Sequence, residues 1–460
     1  MGMFDELGVS DAMVFPALNT STAMDIVTGT FEKGMHGKYY LNGGLPGMFG
    51  IGGRSGFYKS TTMEGLMVFC MHNYPGSEAY KLDTENNALN PKARMRSTIM
   101  YNYGPDYDAD QILNNVVVDN LASLGSEELE ERLRTFYSYR EKHKKDLEVE
   151  TPFLDKDGKN IRTLRPMFIC IDSLSQLRFS SETDKLDKIS VEDKANNMNA
   201  LRDGLIKSRL VPQWARMAYK YGIYFLLSAQ VSDAFVADEY NRPEKQTQYT
   251  KLNDRFKHVG NQFAFLTNTL LQNFSPAPVV SSADRKAAEY GGDGSGQVEI
   301  NELTTRVLRC KTAPAGTLIP SLASQSIGLL PGLSYYHYLK KNNDFGFNVS
   351  GVGRTNRYCM LHPEILLKRQ TVIETLMNNY ELNRALEILF QLKYINDYWS
   401  KVGVPFDIPK TAEDFVERIT NSDLTVSDIT NSRGYWTYED PMNRPYMSLF
   451  DILNIIGIKK

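Results

Sequence analysis

Three features of the sequence predict an α/β fold with a mostly parallel, helix-covered sheet and a further helical C-terminal domain. Short apolar runs at Met48–Ile51, Ala79–Leu82, Met167–Ile171, Tyr224–Leu227 and Arg306–Arg309 are separated by helical stretches, the alternation that builds a sheet buried on both faces. A glycine-rich segment lies between the first of these runs and a helical stretch, Thr62–His72. After Phe347 the strand-like runs give way to helical periodicity.

A chain of 460 residues is too long for one ordinary domain. Its pattern divides into an N-terminal arm and helix (residues 1–35), an α/β core (36–350) and a mainly helical C-terminal domain (355–460). With 42% hydrophobic and 23% charged residues the composition is that of a globular protein, which excludes a disordered or fibrous chain. The net charge of −3 carries no global basic excess, so any nucleic-acid contact must rest on local charge. Cys70, Cys170, Cys310 and Cys359 are far apart and show no CxxC spacing, which argues against zinc and disulfides and fits a reduced, cytoplasmic setting. No apolar run approaches the roughly 18 residues of a spanning helix. The first residues lack the basic-then-apolar pattern of a signal peptide, and no membrane partner is expected.

Along the chain, Val14–Leu18 is an apolar patch that docks on this chain or on a neighbouring subunit, and Asn19 to Thr22 supply capping chemistry for a helix at Ala23–Thr28. Ser126–Val149, rich in Glu, Arg and Lys with leucines at helical intervals, reads as a solvated helix, and Asp157-Gly158 as a tight hairpin turn. Another helix is expected at Ala200–Tyr221. C-terminal helices are expected at Glu364–Asn379, Leu382–Val402 and Thr411–Thr420, the last opened by a variant capping box of Thr411 and Asp414.

Four segments carry chemistry. Gly53, Arg54, Ser55, Gly56, Phe57, Tyr58, Lys59, Ser60 and Thr61 follow a strand and open a helix, the context in which backbone N–H groups and a helix N-terminus cradle a polyphosphate. Lys59 would neutralise the β- and γ-phosphates and Ser60 would hold magnesium, so ATP and Mg2+ are the expected ligands. The standard pattern GxxxxGK[ST] asks for glycine where Tyr58 stands, and a Gly/Ser-rich surface turn is the alternative. Past the second strand, Asp83-Thr84-Glu85 offers a carboxylate able to orient an attacking water. The third strand ends in Asp172, a candidate to coordinate magnesium through water. The fourth ends in Gln230, a sensor of the γ-phosphate, and leads into a loop where Arg242, Lys245, Lys251, Arg255 and Lys257 interleave with Phe235, Tyr240, Tyr249 and Phe256. Such a mixture suits single-stranded nucleic acid; a solvated loop is the plainer reading.

In this order the segments resemble RecA-type recombinases. Leu82-Asp83-Thr84-Glu85-Asn86-Asn87-Ala88-Leu89-Asn90-Pro91 looks like the family signature around its catalytic glutamate, which implies that role for Glu85 and a place for Asn90 at the nucleotide. The run from Val259 through Gly260 and Asn261 to Phe265 is similar to the end of the family's second DNA-binding loop. The segment from Arg306 to Gly316 resembles the strand whose basic residues reach ATP across a subunit interface, which implies that Arg309 and Lys311 act in trans. The phage UvsX branch looks nearest, because its phosphate loop also carries an aromatic residue before the lysine. The path from Asp172 through Leu177 and an acidic loop to the helix Ala200–Tyr221, and the path from Gly328 to Phe347, look similar to that branch as well. Departures are Ala93, where the bacterial family has an adenine-stacking tyrosine, Ala264, where a loop lysine is expected, and Gln230, where UvsX tends to carry His.

The resemblance implies an ATP-dependent recombinase that forms helical filaments on single-stranded DNA and pairs it with homologous duplex DNA. Loader or single-strand-binding proteins would be further partners, and the compartment would be bacterial cytoplasm during phage infection. A hexameric replicative helicase of the same core and a non-catalytic accessory protein are the alternatives.

Overall fold

The computed structural model describes residues 15–85, 90–119, 126–177, 195–233, 245–259, 261–280, 288–291, 299–352, 355–399, 406–440 and 442–457. After helix Ala23–Thr28 (α1) comes a hairpin of Thr30–Lys33 (β1) and Tyr39–Asn42 (β2). The central sheet is then entered by Met48–Gly53 (β3), Glu78–Asp83 (β4) and Val116–Asp119 (β5). A second hairpin, Glu148–Leu154 (β6) and Asn160–Leu164 (β7), turns at Gly158 with φ 75°. The sheet resumes with Met167–Asp172 (β8), Ile223–Asp233 (β9), Asp254–Phe256 (β10), Thr269–Asn273 (β11), Ala277–Pro278 (β12), Asn301–Cys310 (β13), Leu318–Ser324 (β14) and Gly328–Leu329 (β15). Every apolar run read as a strand therefore lies in one eleven-stranded sheet.

The strand order is β15-β14-β13-β11-β3-β9-β8-β4-β5. From β11 to β5 all neighbours are parallel, while β13, β14 and β15 extend the β11 edge antiparallel. Register puts Asn273 opposite Gly53, Gly53 opposite Gln230, and Asp83 opposite Asp172. The carboxyl ends of these strands thus form one row, where open α/β sheets bind ligands.

Strand periodicity sorts side chains to the two faces. In β8, Phe168 and Cys170 join one buried cluster and Met167, Ile169 and Ile171 the other. The first face is covered by Lys59–Asn73 (α2) and Pro91–Tyr103 (α3); the second by Ser126–Lys142 (α4), Ala195–Tyr221 (α5) and Asn261–Leu266 (α6). All of α2 but Ser60 is buried.

The charged stretch from Ser126 is helical to Lys142 and, after a break at His143, again over Lys144–Leu147. By Glu148 it has become strand β6, where Val149 alternates with charged neighbours and pairs with β7. Helix α4 is also half core, since Leu129, Leu133, Tyr137 and Arg140 are buried.

In the C-terminal part the helices expected at Leu382–Val402 and Thr411–Thr420 are present over most of their described residues, and the one expected at Glu364–Asn379 is not. Beyond Pro331–Lys341 (α7) lies a three-stranded antiparallel sheet of Phe347–Ser350 (β16), Asn356–Cys359 (β17) and His362–Leu367 (β18). The first four residues of the helix expected at Glu364–Asn379 thus lie in a strand, a turn follows, and only Val372–Met377 (α8) is helical. Tyr380–Tyr394 (α9) is capped by Asn379 and runs into a π turn at Ile395–Trp399. Ala412–Thr420 (α10) is capped by Thr411 without a reciprocal bond, because the Asp414 carboxylate accepts from Arg418 instead. Full capping boxes occur further on, at Val426–Thr430 (α11) and Leu449–Ile456 (α12).

The described part of the N-terminal patch docks within the chain. Leu18 bridges Leu45, and Phe15 packs 4.7 Å from the Tyr224 ring. The Asn19 side chain bonds Leu41 O, Gly43 O and Trp436 N, joining β2 to the C-terminal region, and Phe31 stacks on Phe450 at 3.9 Å. Among the described residues no helix is long and apolar enough to cross a membrane.

Candidate active site

At its glycines strand β3 is approached too closely by its neighbours for a side chain to fit without displacing them. A Cβ on Gly52 would lie 2.0 Å from the Phe256 ring, and one on Gly53 3.1 Å from Asn273 O. Beyond Gly53 the chain turns outward: Arg54, Ser55 and Gly56 are exposed, and Gly56, at φ +76°, faces open space. The turn is pinned from β11, where the Asn273 amide donates to Phe57 O at 2.9 Å and its Oδ1 accepts from Thr305 Oγ1 at 2.8 Å.

Tyr58, where a phosphate loop would carry glycine, has left-handed backbone (φ 59°, ψ 22°) and forms the N-cap of α2. Its ring turns into the protein, 6% exposed, and the phenol oxygen accepts from Asn301 Nδ2 at 2.7 Å. The exposed side of the turn is thereby left clear of the ring.

Lys59 begins α2 and donates to Arg54 O at 3.0 Å. Burial lowers its pKa, against the opposing pull of Glu85 and Asp172, so three of the expected site residues act on one another here. Glu85 lies just past β4. Its Oε1 accepts from Gln230 Nε2 at 2.7 Å and from Ser173 Oγ at 2.8 Å. Asp172 Oδ1 accepts from Ser228 Oγ at 2.6 Å. Thr84 Oγ1 donates to Ser173 O and accepts from Ser173 N, fixing the Glu85 backbone to the end of β8. Ser60 and Thr61 follow Lys59 in the first turn of α2. Asn90 is the N-cap of α3, its Oδ1 accepting from Ala93 N at 3.2 Å.

A second tier under this row carries no sequence motif. Glu64 of α2 bonds both Lys81 of β4 and, at 2.6 Å, Arg94 of α3; Glu64 and Lys81 are each 1% exposed. Burial opposes a charged Lys81, but Glu64 and Asp172 outweigh it and hold the ammonium well above its usual range. The available signal is a lysine inside a strand run apolar on both faces, since a buried charge demands a partner. Asn273 and Thr305 escape sequence reasoning because amides and hydroxyls at strand ends have no distinguishing pattern.

Gln230 also connects the row to the next part of the chain. Its N–H donates to Ser175 Oγ, its carbonyl accepts from Lys257 N at 2.8 Å, and β10 pairs with the end of β9 through Phe256 and Val231. Arg54 bonds Asp233 at 2.5 Å and Asp254 at 3.3 Å, the residues at the end of β9 and the start of β10. Asp254 is further held by Gln272 Nε2 at 2.7 Å.

Of the expected nucleic-acid residues, Lys245, Lys251 and Lys257 are exposed and Arg255 is half-exposed. Lys251 lies over the Phe274 ring. Arg242 and Gly260 lie outside the described residues, as do Phe235 and Tyr240, and Asn261 is known as the first residue of α6. Phe256 is buried against Gly52 and Tyr249 lies against Gly316, so Phe256 offers no stacking surface. Arg309 donates to Ala264 O and Lys311 is exposed. Arg309 pairs with Leu270, and Lys311 lies past Cys310, which pairs with Thr269. Both sit toward the opposite end of the strands, roughly 10 Å or more along them from Gly53. Within one chain they do not join the cluster.

The arrangement sets an open turn and a helix N-terminus, features able to meet an anion, beside Lys59 and the carboxylates of Glu85 and Asp172. No protein-family model matches the chain, and no curated protein matches its sequence.

Proposed function

We propose that the chain is an ATP-hydrolysing recombinase of RecA type that polymerises on single-stranded DNA and pairs it with homologous duplex. The observation that carries this reading is the 2.7 Å bond from Gln230 to Glu85. It ties a carboxylate suited to activating water to the strand that pairs with β10, which lies within the basic segment Lys245–Lys257.

The residues fit a magnesium–triphosphate. The turn at Gly56 opens to free space, the buried Lys59 ammonium stands beside two carboxylates, and the Tyr58 ring is withdrawn. Ser60 and Asp172 would hold magnesium, which when bound neutralises charge on the phosphates. Lys59 and the first-turn N–H groups of α2 bind and orient the phosphates. Glu85 accepts a proton from the attacking water, and Ser173 with Gln230 keeps its carboxylate aimed. A shift of Gln230 toward the nucleotide would break its bond to Glu85 and move β10, biasing the DNA-binding segment. The remote position of Arg309 and Lys311 supports their action on the ATP of a neighbouring subunit, for which an assembly is required.

Electron microscopy with ATP and single-stranded DNA tests this reading. Open helical filaments that depend on both ligands are expected. Closed rings would favour a helicase, and dispersed monomers would remove the trans-acting role.

A further inference from the structure

Resting on the nucleotide-binding reading, we propose that Asn301 is a positioning residue for the phosphate-binding turn, acting through the ring of Tyr58.

The left-handed conformation at residue 58 decides the direction in which α2 starts, and hence where Lys59 and the first-turn N–H groups point. Glycine adopts it freely, whereas a side chain with a Cβ brings that atom against backbone and makes the conformation a minority state. Tyr58 is kept there by three bonds. Its carbonyl accepts from Thr62 N at 2.9 Å and from Thr62 Oγ1 at 2.7 Å, bonds open to any residue at this position. The third, from Asn301 Nδ2 to the phenol oxygen at 2.7 Å, requires a tyrosine.

Asn301 is well placed to hold a ring still. It is 4% exposed and begins β13, paired with Pro278 of β12 on one side and Ala323 of β14 on the other. Four residues along the same strand, Thr305 grips Asn273, which grips Phe57 O. Strand β13 thus holds consecutive residues of the turn, 57 through backbone and 58 through side chain. With glycine at 58 the turn would need no such support; with tyrosine it depends on β13.

A ligand that binds only the left-handed form has its affinity reduced by the fraction of chains in that form. Loss of the Asn301 bond should therefore weaken nucleotide binding only when residue 58 carries a side chain. The test is calorimetric titration of Mg-ADP into wild type, Asn301→Ala, Tyr58→Gly and the double variant, with melting temperatures recorded for each. Asn301→Ala should weaken Mg-ADP about tenfold and raise KM for ATP more than it lowers kcat. Added to Tyr58→Gly, the same substitution should change affinity less than about twofold from the Tyr58→Gly value. Tyr58→Phe removes the bond from the other side and should weaken Mg-ADP in the same direction, which keeps the test valid if Asn301→Ala folds poorly. Unchanged affinity in both Asn301→Ala and Tyr58→Phe, or an equal loss in the glycine background, overturns the proposal. Absence of Mg-ADP binding by the wild type would instead overturn the nucleotide-binding reading beneath it.

Discussion

Replacing Glu85 by glutamine should slow ATP turnover about a hundredfold to a thousandfold while changing ATP affinity less than about threefold. The amide keeps the shape of the carboxyl group, and one oxygen remains to accept from Gln230 and Ser173. What disappears is the base that the proposed mechanism uses to take the proton of the attacking water, together with a negative charge near Lys59. The loss therefore falls on kcat. Single-turnover hydrolysis beside equilibrium binding measures the two separately, and turnover within about threefold of wild type would remove Glu85 from the chemistry.

The largest effect on stability is expected from Glu64→Gln. This carboxylate bonds the buried Lys81 and the partly exposed Arg94, so it joins α2, β4 and α3 beneath the row of site residues. Removing one member of a buried ion pair leaves the other charge without adequate solvation, at a cost of about 3–5 kcal/mol. That is a large share of the roughly 5–15 kcal/mol that holds a typical domain together. Urea unfolding should show the loss. The double variant Glu64→Leu with Lys81→Met should recover most of it, because Arg94 can turn to water. A single-variant loss below about 1 kcal/mol would mean that the triad is not the anchor its burial indicates.

The sheet was legible because its strands are short, apolar on both faces and bounded by helical stretches, so Met167–Ile171 and Tyr224–Leu227 fell inside β8 and β9. The C-terminal region was less legible. His362–Leu367 carries a strand whose apolar residues, Ile365 to Leu367, also suit a helix, and only pairing with β17 decides between them. Lys59, Glu85, Asp172 and Gln230 could be grouped from the sequence because each lies at or beyond the carboxyl-terminal part of a strand and the sheet brings those parts together. Asn301, Asn273 and Arg54 could not be assigned their contacts, since these depend on β13, β11 and β10 lying beside β3 and β9. Tyr58 was legible as an anomaly but not as its resolution, because the direction of its ring is set by a residue 243 positions away. Phe256 reads as a stacking aromatic in the sequence, but its ring fills the space left by Gly52.

The central claim is that nucleotide chemistry at Lys59 and Glu85 is coupled to nucleic acid through Gln230 and β10. Steady-state ATP turnover, measured with increasing single-stranded DNA, tests it most directly. The coupling predicts slow hydrolysis by the protein alone and a saturable rise with single-stranded DNA. ATP turnover that ignores the DNA, or no turnover above background in its presence, would contradict it.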